Sequence, residues 1–314
     1  MQRLLKSPFL PVIGLALVVA LLPLVLPSTF YVRVIAVVFI NALAVLGLNL
    51  LMGFAGQVSL GHAGFFGIGA YAVAVGPTHL GIPTWASLIC GTLVAMLLAF
   101  VMGRPILRLR GYYLAVATLG MGVLIAMVVS NEAAFTGGPN GMPVPRLIIF
   151  GWRAAGPQVW YWISGVTLVI GAWMAVNLIE SPTGRALRAI HDSETAARVL
   201  GINVARYKLI AFVLSAAYAS IAGSYFVLFD GFVTPETASF LRSIEFVVMA
   251  VLGGLGSILG SIVGAAILVV LPQLLTVFHD YEHIALGLII IMFLIFLPVG
   301  LVPAASRLFA RGAT

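Results

Sequence analysis

The sequence predicts an all-α fold: a polytopic transmembrane helical bundle of about ten spans, with a broken or re-entrant glycine-rich segment and signs of an internal repeat. Three observations carry this. The 314 residues are 62% hydrophobic and 8% charged, where a soluble domain carries about 25% charged residues. Apolar runs near the roughly 20 residues that a spanning helix needs recur along the whole chain. One stretch, 53–71, is polar and glycine-rich where its neighbours are continuously apolar.

The spans fall near 8–27, 34–52, 63–77, 84–103, 111–130, 158–179, 208–229, 243–256, 258–278 and 284–302. The first follows Arg3 and Lys6 and resembles a secretory signal. Its apolar run of 19 residues, Pro8 to Leu26, is long for a signal core and ends without an Ala-x-Ala site, so it reads as an uncleaved span. The runs at 63–77 and 243–256 are short enough to be broken or re-entrant. Between the second and third runs lies Gly53-Phe54-Ala55-Gly56-Gln57-Val58-Ser59-Leu60-Gly61-His62-Ala63-Gly64, continuing to Tyr71. It has no formal charge but holds a Gln, a Ser, a His and six glycines. Backbone that leaves helical geometry at membrane depth survives only where it packs on protein or lines a wet cavity. The stretch is therefore a candidate permeation pathway.

Charge orients the bundle. With the N-terminus inside, the inner segments hold Arg3, Lys6, Arg104, Arg108, Arg110, Arg185, Arg188, Arg198, Arg206, Lys208, Arg307 and Arg311. The outer segments hold Arg33, Arg146, Arg153 and Arg242. Twelve against four satisfies the positive-inside rule and puts both termini in the cytoplasm. The net charge of +7 is spread as such topology signals, which argues against a nucleic-acid partner. Cys90, the only cysteine, lies in an apolar run and reads as a small packed residue.

Two loops are long. The outer one, 131–157, contains Thr136-Gly137-Gly138-Pro139-Asn140-Gly141, a structured turn by its Gly-Pro and Asn-Gly pairs. The inner one, 180–208, reads as two short amphipathic helices joined at His191-Asp192, with Ala186, Leu187, Ile190, Ala197 and Leu200 at near-helical spacing. Ser193 suits the N-cap of the second, and Gly201 its stop. Such an apolar face either docks in another protein's groove or lies on the lipid surface. A later glycine-rich stretch, 251–265, echoes 53–71. Paired interruptions mark a transport site at a repeat interface, or else two small-residue seams for close helix packing.

The 181–208 loop resembles the coupling segment of importer permeases of the ATP-binding cassette type. Ala196, Ala197 and Gly201 fall in step with that family's Glu-Ala-Ala…Gly pattern, and Glu194 stands one place early. With Gly-Gln-Val-Ser-Leu-Gly-His-Ala-Gly-Phe-Phe-Gly-Ile-Gly-Ala-Tyr (56–71), Thr-Gly-Gly-Pro-Asn-Gly (136–141) and Ser-Pro-Thr-Gly-Arg-Ala-Leu-Arg-Ala-Ile (181–190), the chain resembles the M-type permease of branched-chain amino acid importers from about Leu43 to Leu275. Close relatives move urea or short amides, and these motifs do not separate them.

The resemblance implies a single permease domain, 1–314, in a bacterial inner membrane. It implies a second homologous permease subunit, two cytoplasmic ATP-binding subunits and a periplasmic amino-acid-binding protein. It implies no cofactor, metal or catalytic residue. The chain agrees by omission, since it has no Gly-x-x-x-x-Gly-Lys-Ser/Thr loop of its own. The expected pathway residues are Asn41, Asn49, Gln57, Ser59, His62 and Tyr71, with Leu60, Phe65 and Phe66 as apolar walls. The expected coupling residues are Arg185, Arg188, Glu194, Ala196, Ala197, Arg198 and Gly201. Arg242 and Glu245, three residues apart near the outer end of a span, read as a structural ion pair. Glu132 and Asp230 sit near the outer boundary. Glu236, Asp280, Glu282 and His283 are expected on the outer surface that receives the binding protein. A gradient-driven carrier is the alternative from another class. It calls for carboxylates deep within spans, and the carboxylates here cluster at predicted ends.

Overall fold

The structure, a computed structural model, describes residues 9–26, 28–109, 111–149, 151–275, 282–297 and 299–305. Arg3, Lys6, Arg110, Asp280, Arg307 and Arg311, used above for orientation and for the outer surface, lie outside the described residues.

Each of the ten apolar runs folds as a helix. They are α1 (Leu10–Val25), α2 (Thr29–Asn49), α3 (His62–His79), α4 (Thr84–Ile106), α5 (Tyr112–Asn131), α7 (Pro157–Glu180), α10 (Val204–Asp230), α11 (Phe240–Gly253), α12 (Ile258–Leu275) and α13 (Glu282–Phe296). Between them, α6 (Ala133–Thr136) is one turn, and α8 (Pro182–Asp192) and α9 (Glu194–Val199) form the 180–208 loop. Six helices among the described residues are long and apolar enough to cross a membrane: α2 with its extension, α4, α5, α7, α10 and α12. Toward the C-terminus the expected run 284–302 is interrupted. Helix α13 stops at Phe296, and the chain turns through Gly300 before residues 301–305 become helical again.

Helices α2 and α10 are the axis of the bundle. In α2, 83% of the most apolar window is buried and in α10 61%, against 28% in α4 and α12 and 33% in α5. A helix apolar all round belongs inside, and α2 and α10 pack along each other. Helices α3 and α4 lie on one flank of α10, and α7 and α12 lie along α2. Large apolar side chains of α4, α5 and α7 such as Leu97, Leu124 and Trp173 face outward, as lipid-facing positions do.

Glycine sets the closest approaches. A Cβ at Gly69 would strike the Ser220 carbonyl, and one at Gly223 the Phe66 carbonyl, so α3 and α10 meet backbone to backbone. Gly253 and Gly264 do the same between α11 and α12. The two glycine-rich stretches of the sequence touch each other, since a Cβ at Gly53 would meet the Gly256 backbone. They act as facing packing seams.

The two ends of the bundle differ. One carries α8 and α9. The other carries four two-residue strands, β1 (Met142–Pro143), β2 (Ile148–Ile149), β3 (Trp152–Arg153) and β4 (Phe232–Val233). Antiparallel pairing of Met142 with Val233 ties the 131–157 loop to the link between α10 and α11. The Thr136–Gly141 turn is held by the Thr136 hydroxyl, which donates to the Val129 carbonyl at 2.6 Å and accepts from Gly138 N–H at 3.2 Å. Arg33 and Asp230 pair at this end, 3.7 Å apart.

Candidate functional site

The site is made by two helices that start inside the bundle. Helix α2 runs on as a π-helical turn, Leu50–Phe54, and the helical run Thr29–Phe54 has 26 residues. The chain then turns at Gly56, whose φ of +66° favours glycine and whose α-carbon faces His191 of α8. Residues 56–59 return as non-helical backbone. The Leu60 N–H bonds the Thr118 hydroxyl of α5 at 3.1 Å, and α3 begins with His62 beside Ala44. Ala44 lies ten residues before Phe54, so α3 starts about 15 Å along α2 from that end, at 1.5 Å per residue.

The second helix enters from the strand-bearing end. After β4 and a 3₁₀ turn, Pro235–Ala238, α11 begins with the Ser239 hydroxyl accepting the Arg242 N–H at 3.2 Å. Arg242 lies beside Asn41, the midpoint of the run Thr29–Phe54. The first turns of α3 and α11 meet where the Ser243 hydroxyl accepts the Ala63 N–H at 3.0 Å. Each helix starts at mid-depth, reached by non-helical backbone from one end, and runs out to the other: α3 to His79 beside Phe135 at the strand-bearing end, and α11 to Gly253, next to the Gly256 turn that meets Asn49. Both are half-helices of discontinuous spans, so 53–62 is a break in a span and not a re-entrant loop. The mid-depth start of α11 corrects the placement of Arg242 and Glu245 near a span end, and with it the reading that all carboxylates lie at ends.

The expected pathway residues divide by environment. Asn41 is buried; its Nδ2 donates to the Val37 carbonyl at 2.9 Å and its Oδ1 accepts from Arg242 at 2.7 Å. Asn49 is a strut: its Nδ2 donates to the Ser257 carbonyl and Ser261 hydroxyl, both at 2.8 Å, and its Oδ1 accepts Gly256 N–H at 2.9 Å. His62 is buried between Ala44 and Ser215, with its ring edge-on to Phe246 at 5.9 Å. Gln57 Oε1, Ser59 Oγ and Tyr71 OH are buried without a hydrogen-bond partner among the described residues. Tyr71 lies apart from the others, on an apolar cavity with Ala72, Val94 and Met121.

Arg242 is the hub that sequence reasoning missed. Besides Asn41, its guanidinium donates to Glu245 at 2.6 Å and stands over the rings of Phe246, Phe226 and Phe66 at 4.9, 5.1 and 5.5 Å. Side chains from α2, α3, α10 and α11 thus converge on one cation.

In the 180–208 loop, Ser181 and Ser193 cap α8 and α9, accepting from Thr183 N–H at 3.1 Å and Ala196 N–H at 3.2 Å. Gly201, at φ +80°, ends α9. The apolar residues Ala186, Leu187, Ile190 and Ala197 are buried against this chain itself, so that face does not serve a partner. Leu200, expected among them, is 76% exposed and its neighbour Val199 84%. Arg185 and Arg188 donate to the last carbonyls of α7, Glu180 at 3.3 Å and Ile179 at 2.9 Å, where cations complement the helix dipole. Glu194 pairs with the buried ammonium of Lys208 and with Arg198 at 3.5 Å. Ala196, Arg198 and Gly201 are exposed.

A family model described as "Branched-chain amino acid transport system / permease component" matches residues 30–297. The branched-chain amino acid permease LivM of Escherichia coli (strain K12) is 36% identical over 282 residues, covering 82% of this chain and 66% of the relative. LivH of the same organism is 26% identical, covering 83% and 90%. BraD of Pseudomonas aeruginosa is 27% identical, with the same coverage. The chain thus spans just under two thirds of LivM. No solved structure matches. With a family model that covers most of its length and fits a bundle of apolar helices around two discontinuous ones, the chain belongs to the family of permease components of branched-chain amino acid transport systems.

Proposed function

We propose that this chain is the transmembrane permease subunit of an ATP-driven importer for branched-chain or other hydrophobic amino acids. The observation that carries the reading is the meeting of two discontinuous helices, α3 and α11, halfway along α2 in a chain of this family. Discontinuous helices that meet at mid-depth are where transporters place substrate sites. The similarity to both LivM and LivH supports a second homologous permease as partner. Two ATP-binding subunits supply the energy, and a periplasmic amino-acid-binding protein delivers the ligand. The chain sits in a bacterial inner membrane with both termini and the α8–α9 end in the cytoplasm.

The coupling surface is the exposed side of the 180–208 loop. Ala196, Arg198 and Gly201 take part in docking, with Val199 and Leu200 as the apolar contact. Arg185, Arg188, Glu194 and Ala197 hold the loop on α7 and α10, so that motion of a docked ATPase reaches the bundle as a rigid push. Gly56 lies against His191, so the push from α8 arrives at the turn before α3. Nucleotide shifts the bundle between inward- and outward-open states only through different affinity for the two. On the pathway, Asn41 contacts the route directly, while Gln57, Ser59 and His62 line or support the non-helical backbone. Asn49 braces α2 against the turn before α12, and Tyr71 borders the apolar flank.

The test is ATP-dependent uptake of radiolabelled leucine into proteoliposomes holding this chain, its permease partner, both ATPases and the binding protein. The loop variant Ala196→Glu/Gly201→Glu serves as control. Uptake that needs ATP and is lost in the assembled loop variant supports the reading. Uptake by this chain alone on an ion gradient overturns it, and ATP-driven uptake of urea in place of leucine changes the substrate only.

A further inference from the structure

We propose that Arg242 and Glu245, with Asn41 behind them, recognise the two charges of an amino acid zwitterion as it crosses the protein. The inference rests on the permease reading and names the place on the route where the substrate is held. A guanidinium and a carboxylate lie level with the middle of α2, and ionised groups at that depth are costly unless they face protein or water. The Arg242 side chain retains 19% of its exposure and that of Glu245 47%. They face outward at a depth where lipid would be the worst neighbour, so this side borders a wet route.

The cavity they open on has a volume of about 450 Å³, within the range of small-molecule sites. Two of the five guanidinium N–H groups are taken, by Asn41 and Glu245. The others are left for an α-carboxylate, and Glu245, whose Oε2 alone is bonded among the described residues, can take the ammonium. The rest of the lining is mainly apolar, including Val37, Val248, Met249, Leu268 and Val269, with no charged side chain besides the pair among the described residues. That wall suits an aliphatic side chain and leaves a third charge unmatched. Pro272, on the same cavity, has no N–H for the Leu268 carbonyl one turn earlier, which favours a free acceptor beside the ammonium. Asn41 and the three phenylalanine rings fix the cation, so only small motions are needed to admit the ligand. Urea, having neither charge, would gain nothing from this pair.

The test uses the assembled importer in proteoliposomes, in a Cys90→Ser background. Saturating leucine uptake should fall at least tenfold in Arg242→Gln and in Glu245→Gln, with Arg242→Lys keeping more than Arg242→Gln. The double variant R242Q/E245Q removes both charges together and leaves neither unpaired, and should stay as low. Its recovery would show that the two charges only balance each other within α11, and would overturn the proposal. Val248→Trp fills the cavity without removing either charge. It should also lose uptake tenfold, and normal uptake would count against the site. In Glu245→Cys, a cationic water-soluble methanethiosulfonate should modify position 245, more slowly with excess leucine. Absence of modification in the assembled complex would place the residue away from water and overturn the proposal. A wild-type complex that shows no ATP-driven leucine uptake would instead count against the permease reading itself.

Discussion

The Nε2 of His62 lies 2.9 Å from the carbonyl oxygen of Ala44, eighteen residues earlier in the chain. A carbonyl only accepts, so Nε2 carries the proton and Nδ1 faces the Ser215 hydroxyl at 3.4 Å. The bond spans the π-helical turn, the return at Gly56 and the climb of the unwound segment. It pins the start of α3 to a fixed height on α2.

His62→Ala should therefore destabilise the chain by leaving the Ala44 carbonyl without its side-chain donor and opening space beside Phe246. The Ala44 carbonyl keeps its bond within α2, so the loss is that of one buried hydrogen bond, about 0.5–1.5 kcal/mol, plus the cost of the space left by the ring. His62→Gln keeps a donor and should lose less. Thermal unfolding of the purified chain in detergent orders the variants. Equal midpoints for His62→Ala and the wild type would remove the pinning role.

The seam between α3 and α10 predicts a sharp contrast between glycines. Gly223→Ala puts a methyl group into the Phe66 backbone, and Gly69→Ala one into that of Ser220. Overpacking of this kind costs roughly 1–3 kcal/mol or more. Gly120 on α5 has nothing within 4 Å of an added Cβ. There Ala should be neutral or stabilise by up to about 1 kcal/mol through helix propensity. The same unfolding assay separates the two outcomes.

Glu194 and Lys208 predict a third effect. The ammonium of Lys208 is almost fully buried, and Glu194 supplies its carboxylate. Glu194→Gln should cost on the order of 1.5–3 kcal/mol, the range for hydrogen bonds to charged groups. Lys208→Met in the same chain should recover part of it, because no buried charge is then left alone. A double-mutant cycle on the unfolding midpoint measures the coupling. A coupling energy near zero would mean that the pair does not clamp α9 to α10.

Much of the architecture was legible because apolar run length is a strong signal. All ten runs became helices, and the glycine-rich break at 53–62 fell where the helix is interrupted. The site was less legible because depth is a tertiary property. Glu245 follows Arg242 by one helical turn, and the sequence alone places both near a span end. Only the non-helical inward path of residues 231–239 brings them beside Asn41, level with the middle of α2. Asn49 looked like a pathway residue because an Asn in an apolar helix needs partners. Its partners are backbone and hydroxyl groups around Gly256, 207 residues away. Leu200 matched the apolar spacing of the loop, but the turn at Gly201 directs it outward. Spacing reports periodicity within a helix and cannot see where the helix ends.

That outward pair gives the last prediction. Val199 and Leu200 are the most exposed apolar side chains of the loop, while Ala197, two residues earlier, is 1% exposed. A pair of aliphatic side chains held in water by a capped six-residue helix gains by being covered, at about 25 cal/mol per Å² of apolar surface buried. Val199→Asp and Leu200→Glu should leave the unfolding midpoint of the isolated chain within about 0.5 kcal/mol of wild type, as surface changes do. Both should reduce co-purification of the ATP-binding subunits and abolish ATP-dependent uptake. Ala197→Glu should do the reverse, because it forces a carboxylate into the cluster of Ile190 and Val204 and unfolds the loop before docking is tested. Measuring stability and ATPase retention on the same preparations decides the matter. If Leu200→Glu retains the ATPases and transports normally, the docking surface lies on another face of the α8–α9 end.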